Sequence, residues 1–325
     1  MGIYFVTGAA GFIASRVCSL LLDEGHQVIG IDNFDPVYDV RLKEYRLAQL
    51  KNQADFTFYK ESICNQGALH RIIQNHPHID AIINLAAKAG VRDSVLDPWS
   101  YYDTNLTGCL NLLDLCRQGH IKKFILASTS SVYGENAPYP TPEDAEASKP
   151  LQPYAASKLA AETLSHSYHY LYGLDVSVLR YFTVYGPAGR PAMSMFRFTK
   201  WISEGQEVQV FGDGNQTRGF TYLDDIARGT ILALKPLGFE TINLGGHESI
   251  SILDLISKFE RTIGKRAKIK YYAAHPADMS ASWADIQKAR HLLNWEPQVS
   301  LDEGIQHVVD WYHQEHSWAC EVDIA

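Results

Sequence analysis

The first fourteen residues constrain the fold more than any other segment. The apolar run Ile3-Tyr4-Phe5-Val6 ends in Thr7-Gly8-Ala9-Ala10-Gly11 and passes directly into helical spacing, with apolar residues at 13, 17, 20 and 21. A strand that is apolar without alternation is one buried on both faces. Such a strand, followed by a glycine turn and a helix, opens a βαβ unit. Gly8 lets the chain turn tightly, and Gly11 lets the backbone approach a pyrophosphate seated on the free amides and positive end of the helix. Ala14 stands where a third glycine is usual, and a methyl still allows close helix–strand packing. Asp32 ends the second apolar run, about 20 residues beyond the turn. A carboxylate there accepts from both ribose hydroxyls and repels a 2′-phosphate, so NAD is favoured over NADP.

The same alternation continues. Strands are expected over 3–7, 28–31, 56–59, 81–85, 124–127 and 176–179, and helices over 12–24, 99–116 and 154–172. This predicts an α/β fold, a Rossmann-type doubly wound parallel sheet. After Arg180 the pattern breaks at Gly186, Pro187, Gly189 and Pro191. A helix over 193–204, a strand over 208–211 and helices near 252–263 and 284–293 suggest a smaller C-terminal α/β substrate lobe. The expected division is 1–180 for the dinucleotide domain and 181–325 for the lobe, with an interleaved boundary.

Composition narrows the function. The 325 residues are 46% hydrophobic and carry 29 basic against 37 acidic side chains, a net charge of −8. That excludes wholesale disorder and argues against a nucleic-acid binder, which should be basic. No apolar run approaches the ~18 residues of a membrane span. The cysteines, Cys18, Cys64, Cys109, Cys116 and Cys320, are odd in number and scattered, so reduced thiols are expected rather than disulfides or zinc. With Met1-Gly2 leading straight into the first strand, the chain reads as cytoplasmic. The pairs His166/His169 and His313/His316 share helix faces, but no carboxylate or thiol completes a metal set, and no metal is expected.

Two further patterns carry chemistry. Tyr154-Ala155-Ala156-Ser157-Lys158 puts a phenol and an ammonium on one helix face. A phenol ordinarily titrates near 10, and an adjacent cation favours the phenolate and makes it a usable base. Alone, the same spacing also describes a solvated helix face. The segment Ala127-Ser128-Thr129-Ser130-Ser131-Val132-Tyr133-Gly134 ends a strand on the sheet edge where ligands bind. A hydroxyl there can bridge substrate and phenol, or simply bond its own backbone.

Taken in order, the glycine turn, the Ser/Thr segment and Tyr-x-x-x-Lys resemble the extended short-chain dehydrogenase/reductase family. Within it, the chain is most similar to nucleotide-sugar 4-epimerases of the UDP-glucuronate type. Four segments carry this: 33–50, Ala86-Ala87-Lys88-Ala89-Gly90-Val91-Arg92, 180–191, and Arg218-Gly219-Phe220-Thr221-Tyr222-Leu223-Asp224-Asp225. The resemblance implies that NAD is held by Gly8, Ala10, Gly11, Phe12, Ile13, Asp32, Asn33, Leu85, Ala86, Ala87, Lys88, Tyr154, Lys158 and Tyr181. It implies a UDP-sugar held by Val91, Arg92, Thr129, Ser130, Ser131, Thr183, Arg190, Met193, Val210, Arg218 and Asp278. Thr129, Tyr154 and Lys158 are its implied catalytic residues, and the helices near 99–116 and 154–172 its implied homodimer surface.

The implied reaction removes the proton from sugar O4 at Tyr154 while C4 is oxidised by NAD. The 4-keto sugar turns over, and C4 is reduced on its other face. Related dehydratases carry Asp-Glu after the threonine, and related decarboxylases usually a Glu. Here Ser130-Ser131 supplies neither acid, which favours epimerisation of UDP-glucuronate to UDP-galacturonate. UDP-glucose or UDP-N-acetylglucosamine epimerisation, UDP-glucuronate decarboxylation and a non-catalytic NAD sensor are the alternatives. Asn84, Ser62, Ala188 and Ala192 depart from the family pattern.

Overall fold

The computed structural model describes residues 1–246, 249–273 and 281–324. The chain opens as β1 (Ile3–Thr7), α1 (Phe12–Asp23), β2 (Gln27–Ile31), α2 (Arg41–Leu50), β3 (Phe56–Tyr59), α3 (Gln66–Asn75) and β4 (Ala81–Asn84). There follow α4 (Val91–Leu96), α5 (Pro98–Tyr102), α6 (Gly108–Gly119), β5 (Lys123–Thr129), α7 (Pro153–Tyr172) and β6 (Asp175–Tyr181). The remainder is β7 (Thr183–Tyr185), α8 (Ser194–Ser203), β8 (Glu207–Phe211), β9 (Thr217–Tyr222), α9 (Leu223–Leu232), β10 (Phe239–Leu244) and β11 (Ser249–Ser251). It ends with α10 (Ile252–Ile263), β12 (Lys268–Tyr272), β13 (Ala281–Ser282), α11 (Gln287–Leu293), α12 (Leu301–Gln314) and α13 (His316–Ala319).

Seven strands form one parallel sheet in the order β10-β6-β5-β4-β1-β2-β3. Its unalternating strands are covered on both faces, as their composition requires. Val6, Ile83 and Ile125 pack on one face with Val17 and Leu21 of α1 and Ile226 of α9. Phe5, Ile82 and Phe124 pack on the other with Leu69 of α3, Leu112 of α6 and Ala161 of α7. The chain thus leaves the sheet after β6 at Tyr181 and returns to it only with β10 at Phe239. The apolar pattern of 239–244 is short and had not signalled a strand. The smaller lobe combines the β11-β9-β13 sheet, β7 beside β9, and the β8–β12 pair. Its core includes Phe198 of α8, Phe259 of α10 and Val308 of α12.

One expected helix, 99–116, is interrupted. Residues Asp103–Thr107 form a π-helical turn between α5 and α6. That wider turn, a geometry often found at functional sites, aims the buried Asn105 side chain inward. Its amide donates to Lys88 O and Ser157 Oγ, both at 3.0 Å, and its oxygen accepts from Lys88 N at 2.9 Å. Periodicity cannot show such a turn, because the residues on either side remain helical. The helix expected over 284–293 begins later, at Gln287, because Ala284 and Asp285 are tied to Gly246 and Thr141.

Candidate active site

The C-terminal ends of the sheet strands open on a cavity of about 790 Å³ that continues under the smaller lobe. Its dinucleotide wall is mostly main chain. Gly8 turns at φ +72°, and a Cβ there would lie 3.0 Å from both Cα and N of Ala86. Gly11 N donates to Gly8 O at 2.6 Å, and a Cβ on Gly11 would sit 2.7 Å from that same oxygen. Only glycine leaves the space. Thr7 Oγ1 fastens the facing segment by accepting from Leu85 N and Ala86 N at 3.1 and 3.0 Å, while donating to Asn84 at 2.8 Å. Asn84 therefore serves as an anchor behind the wall. The first turn of α1 has no side-chain cap and no acidic residue, so its amides and dipole face the cavity.

Gly8, Gly11, Phe12, Ile13, Asp32, Asn33, Leu85, Ala86, Ala87, Lys88 and Tyr181 all line this wall. Ala10 does not. It is fully buried, and its carbonyl accepts from Arg46. Asp32 is nearly buried; one of its oxygens accepts from Phe34 N at 2.8 Å and from Lys43 Nζ at 3.3 Å. The sequence reading missed Lys43, because α2 carries Lys43 and Arg46 on its buried face beside Leu42, Leu47 and Leu50. Two buried cations blur the apolar stripe that would have announced the helix.

The opposite wall is made of side chains. Val91, Arg92, Thr129, Ser130, Ser131, Thr183, Arg190, Met193 and Arg218 line it, from α4, the end of β5, β7, the loop before α8, and β9. Val210 is in the lobe core and does not face the cavity; the next residue, Phe211, takes that place, with Arg92 over its ring at 5.4 Å. Asp278 lies outside the described residues.

Tyr154 and Lys158 open α7 between the two walls, next to the end of β5. The Tyr154 phenol lies beside the Thr129 side chain, which favours its ionised form. Thr129 Oγ1 in turn accepts from Ser131 N at 3.1 Å and donates to Ser131 Oγ at 3.2 Å. Burial pushes the Tyr154 phenol above its usual value, and the neighbouring Thr129 hydroxyl and the Arg190 charge oppose that shift. Lys158, expected to be the cation acting on the phenol, is not among the groups that do so here. It is 2% exposed, and burial brings its ammonium down to about 8 against the opposing influence of Cys109 and Glu162. Among the described residues it has no hydrogen-bond or ion-pair partner. A buried donor in that state at a cavity wall is one that a ligand satisfies.

Beneath these groups lies an ion pair that the sequence did not announce. Glu162, one turn beyond Lys158, accepts from Arg180 at 3.1 and 2.7 Å and from the Ser128 hydroxyl. Arg180 also covers the Tyr133 ring at 4.7 Å. The histidine pairs have ordinary packing roles: His166 and His169 meet Phe239, and His316 meets Tyr312.

A parallel sheet with a glycine turn at its crevice and a Thr–Tyr–Lys cluster at the strand ends defines a dinucleotide-using enzyme of the epimerase and dehydratase type. Residues 4–245 match the NAD dependent epimerase/dehydratase family, and the chain belongs to that family. It is 56% identical over 312 residues to the UDP-glucuronate 4-epimerase of Thermodesulfobacterium geofontis, covering 96% of each chain. It is similar to the crystal structure of UDP-glucuronic acid 4-epimerase from Bacillus cereus in complex with UDP-glucuronic acid and NAD. That match has TM-score 0.90 and 41% identity, covering 96% of this chain and 99% of that one. The UDP-glucose 4-epimerase of Thermotoga maritima, with UDP-glucose, matches with TM-score 0.89 and 33% identity over 96% and 99% of the two chains.

Proposed function

We propose that this chain is an NAD-dependent UDP-glucuronate 4-epimerase, an isomerase that inverts C4 of the sugar to give UDP-galacturonate. The observation that carries the reading is the meeting of Thr129, Tyr154 and Lys158 at one cavity whose neighbouring residues, Ser130 and Ser131, are hydroxyls and not acids. The uncapped turn at Gly8–Ile13, Asp32 and the partnerless Lys158 ammonium fit NAD. When bound, NAD supplies reversible oxidation and reduction at the sugar carbon.

Tyr154 is positioned to take and return the proton of the C4 hydroxyl, with Thr129 holding its oxygen in place. Lys158 is positioned to hold the ribose and to keep positive charge near the phenol once it is ionised. A glucuronate oxidised at C4 is a β-keto acid, and it loses CO2 when the carboxylate bond aligns with the carbonyl π system. Ser130, Thr129 and Thr183 offer hydroxyls to hold the carboxylate out of that alignment. Arg190, whose side chain has no hydrogen-bond partner among the described residues, offers a two-pronged donor for an anionic group.

Further support comes from outside the cavity. Leu96, Trp99, Tyr170 and Leu171 are more than half exposed on α4, α5 and α7. Exposed apolar side chains on these helices suit a protein interface, and we infer a homodimer formed through the helices near 99–116 and 154–172. All five cysteines are free, which suits a cytoplasmic setting, and no described helix is long and apolar enough to cross a membrane.

The test is incubation of the purified protein with UDP-glucuronate and no reductant. UDP-galacturonate without CO2 or net NADH is the expected product. A UDP-pentose or an accumulating 4-keto sugar would turn the reading to a decarboxylase or dehydratase, and no conversion would turn it to a non-catalytic binder or to another UDP-hexose.

A further inference from the structure

Arg46 is a buried cation without a counter-charge. It is 5% exposed, and among the described residues no carboxylate lies within ion-pair distance of it. Four of its five N–H donors are nonetheless used. Nε and Nη2 donate to Ala188 O at 3.1 and 2.5 Å, and Nη1 donates to Ala10 O at 3.3 Å and the Tyr38 hydroxyl at 2.9 Å. The guanidinium lies 5.5 Å from the Tyr38 ring centre and 5.7 Å from that of Phe12.

The two carbonyls belong to opposite walls. Ala10 is inside the glycine turn of the dinucleotide side. Ala188 is held at φ +51°, a left-handed conformation, two residues before Arg190 of the sugar side. The same loop already leans on the turn, since a Cβ on Gly186 would come within 3.6 Å of the Phe12 ring. A planar fork can bridge two carbonyls in different directions, which a lysine ammonium on a flexible stem does far less well. An isolated buried charge is costly unless something balances it, and the anion for which the neighbouring turn is shaped would do so.

We propose that Arg46 is the positioning residue that joins the two half-sites. It fixes the left-handed turn at Ala188, and so the placement of Arg190, relative to the dinucleotide turn, and its charge is balanced when the anionic ligands bind. The inference rests on the NAD and UDP-sugar reading above. It predicts that Arg46→Lys, which keeps the charge and loses the bridge, leaves NAD binding within about twofold but weakens UDP-glucuronate about tenfold. Arg46→Met should weaken both.

The experiment measures UDP-glucuronate binding by titration calorimetry in a Tyr154→Phe background holding NAD, for Arg46, Arg46→Lys and Arg46→Met, each with Arg190 and with Arg190→Ala. Loss of sugar affinity that vanishes in the Arg190→Ala background supports the inference, because removal of the positioned group removes the effect. Loss that simply adds to that of Arg190→Ala, or folded Arg46→Lys protein with unchanged sugar affinity, overturns it. Should Arg46→Met fail to fold, Arg46→Lys and Tyr38→Phe carry the test, the latter expected to weaken sugar binding less than Arg46→Lys. If wild-type protein binds UDP-glucuronate and yields no UDP-galacturonate, the catalytic reading fails while this binding comparison still stands.

Discussion

The two walls of the cavity are built in different ways. The dinucleotide wall is a backbone surface: a turn that only glycine permits, the open amides of α1, and the Leu85–Ala86 segment pinned by Thr7. The opposite wall is a collection of side chains drawn from five places in the chain, Arg92, Thr183 and Arg190 among them. Backbone recognition suits a ligand shared by many enzymes. Side-chain recognition suits one that differs between relatives, because it can change without refolding the wall. If this contrast is sound, substitutions in the two walls should fail in different ways.

The largest effect is expected where the walls meet. Tyr154→Phe should lower turnover of UDP-glucuronate by about 10⁴-fold, the upper end for a proton-transferring group, while NAD binding stays intact. Loss of NAD in that variant would show that the phenol belongs to the cofactor wall instead.

Lys158→Met should cost turnover about 10²–10³-fold yet stabilise the ligand-free protein. With the folded ammonium near 8 and the unfolded one near 10.4, the folded state binds fewer protons between those values. The penalty is therefore full below pH 8 and fades as pH rises toward 10.4, amounting to about 3 kcal/mol at most. Thermal melts of the two proteins at pH 7 and pH 10 check this: the gap should be wide at the lower pH and narrow at the higher.

Gly8→Ala tests the backbone wall. A non-glycine residue at φ +72° stores about 1–3 kcal/mol of strain, and its Cβ meets Ala86. NAD affinity should fall about 30-fold by titration calorimetry, and turnover at saturating NAD should change little. An equal fall in turnover would blur the distinction between the walls. Arg190→Lys, the mildest change, keeps the charge and loses the fork. It should raise the KM for UDP-glucuronate about tenfold and leave NAD affinity untouched, which steady-state kinetics with NAD in excess will show.

How legible each wall was follows from its construction. The glycine turn, β1 and α1 are contiguous, so spacing over thirty residues exposed them together with Asp32. Lys43 and Arg46 were hidden because they are polar residues on the buried face of a short helix, where periodicity expects apolar ones. Glu162 and Arg180 were hidden for a related reason. Each would be costly to bury alone, and only their partnership across α7 and β6 makes them tolerable. The π turn at Asp103–Thr107 left no periodic trace, although it decides where Asn105 points. Val210 marks a different boundary: the strand is legible in the sequence, but that its side chain enters the lobe core while Phe211 lines the cavity depends on the β8–β12 pairing and on what packs beneath it.

By itself, the sequence determined the doubly wound sheet and the glycine turn at its crevice. Those depend on local conformation and on the period of apolar residues, which neighbours along the chain dictate, whereas Thr129, Tyr154 and Lys158 stood out only through the family resemblance. Tertiary structure alone decided that β10 returns to the first sheet, that Lys158 is buried at the cavity wall without a hydrogen-bond partner among the described residues, and that Arg46 spans the two walls. Each of those is a fact about groups far apart in the chain, fixed by which surfaces bury one another.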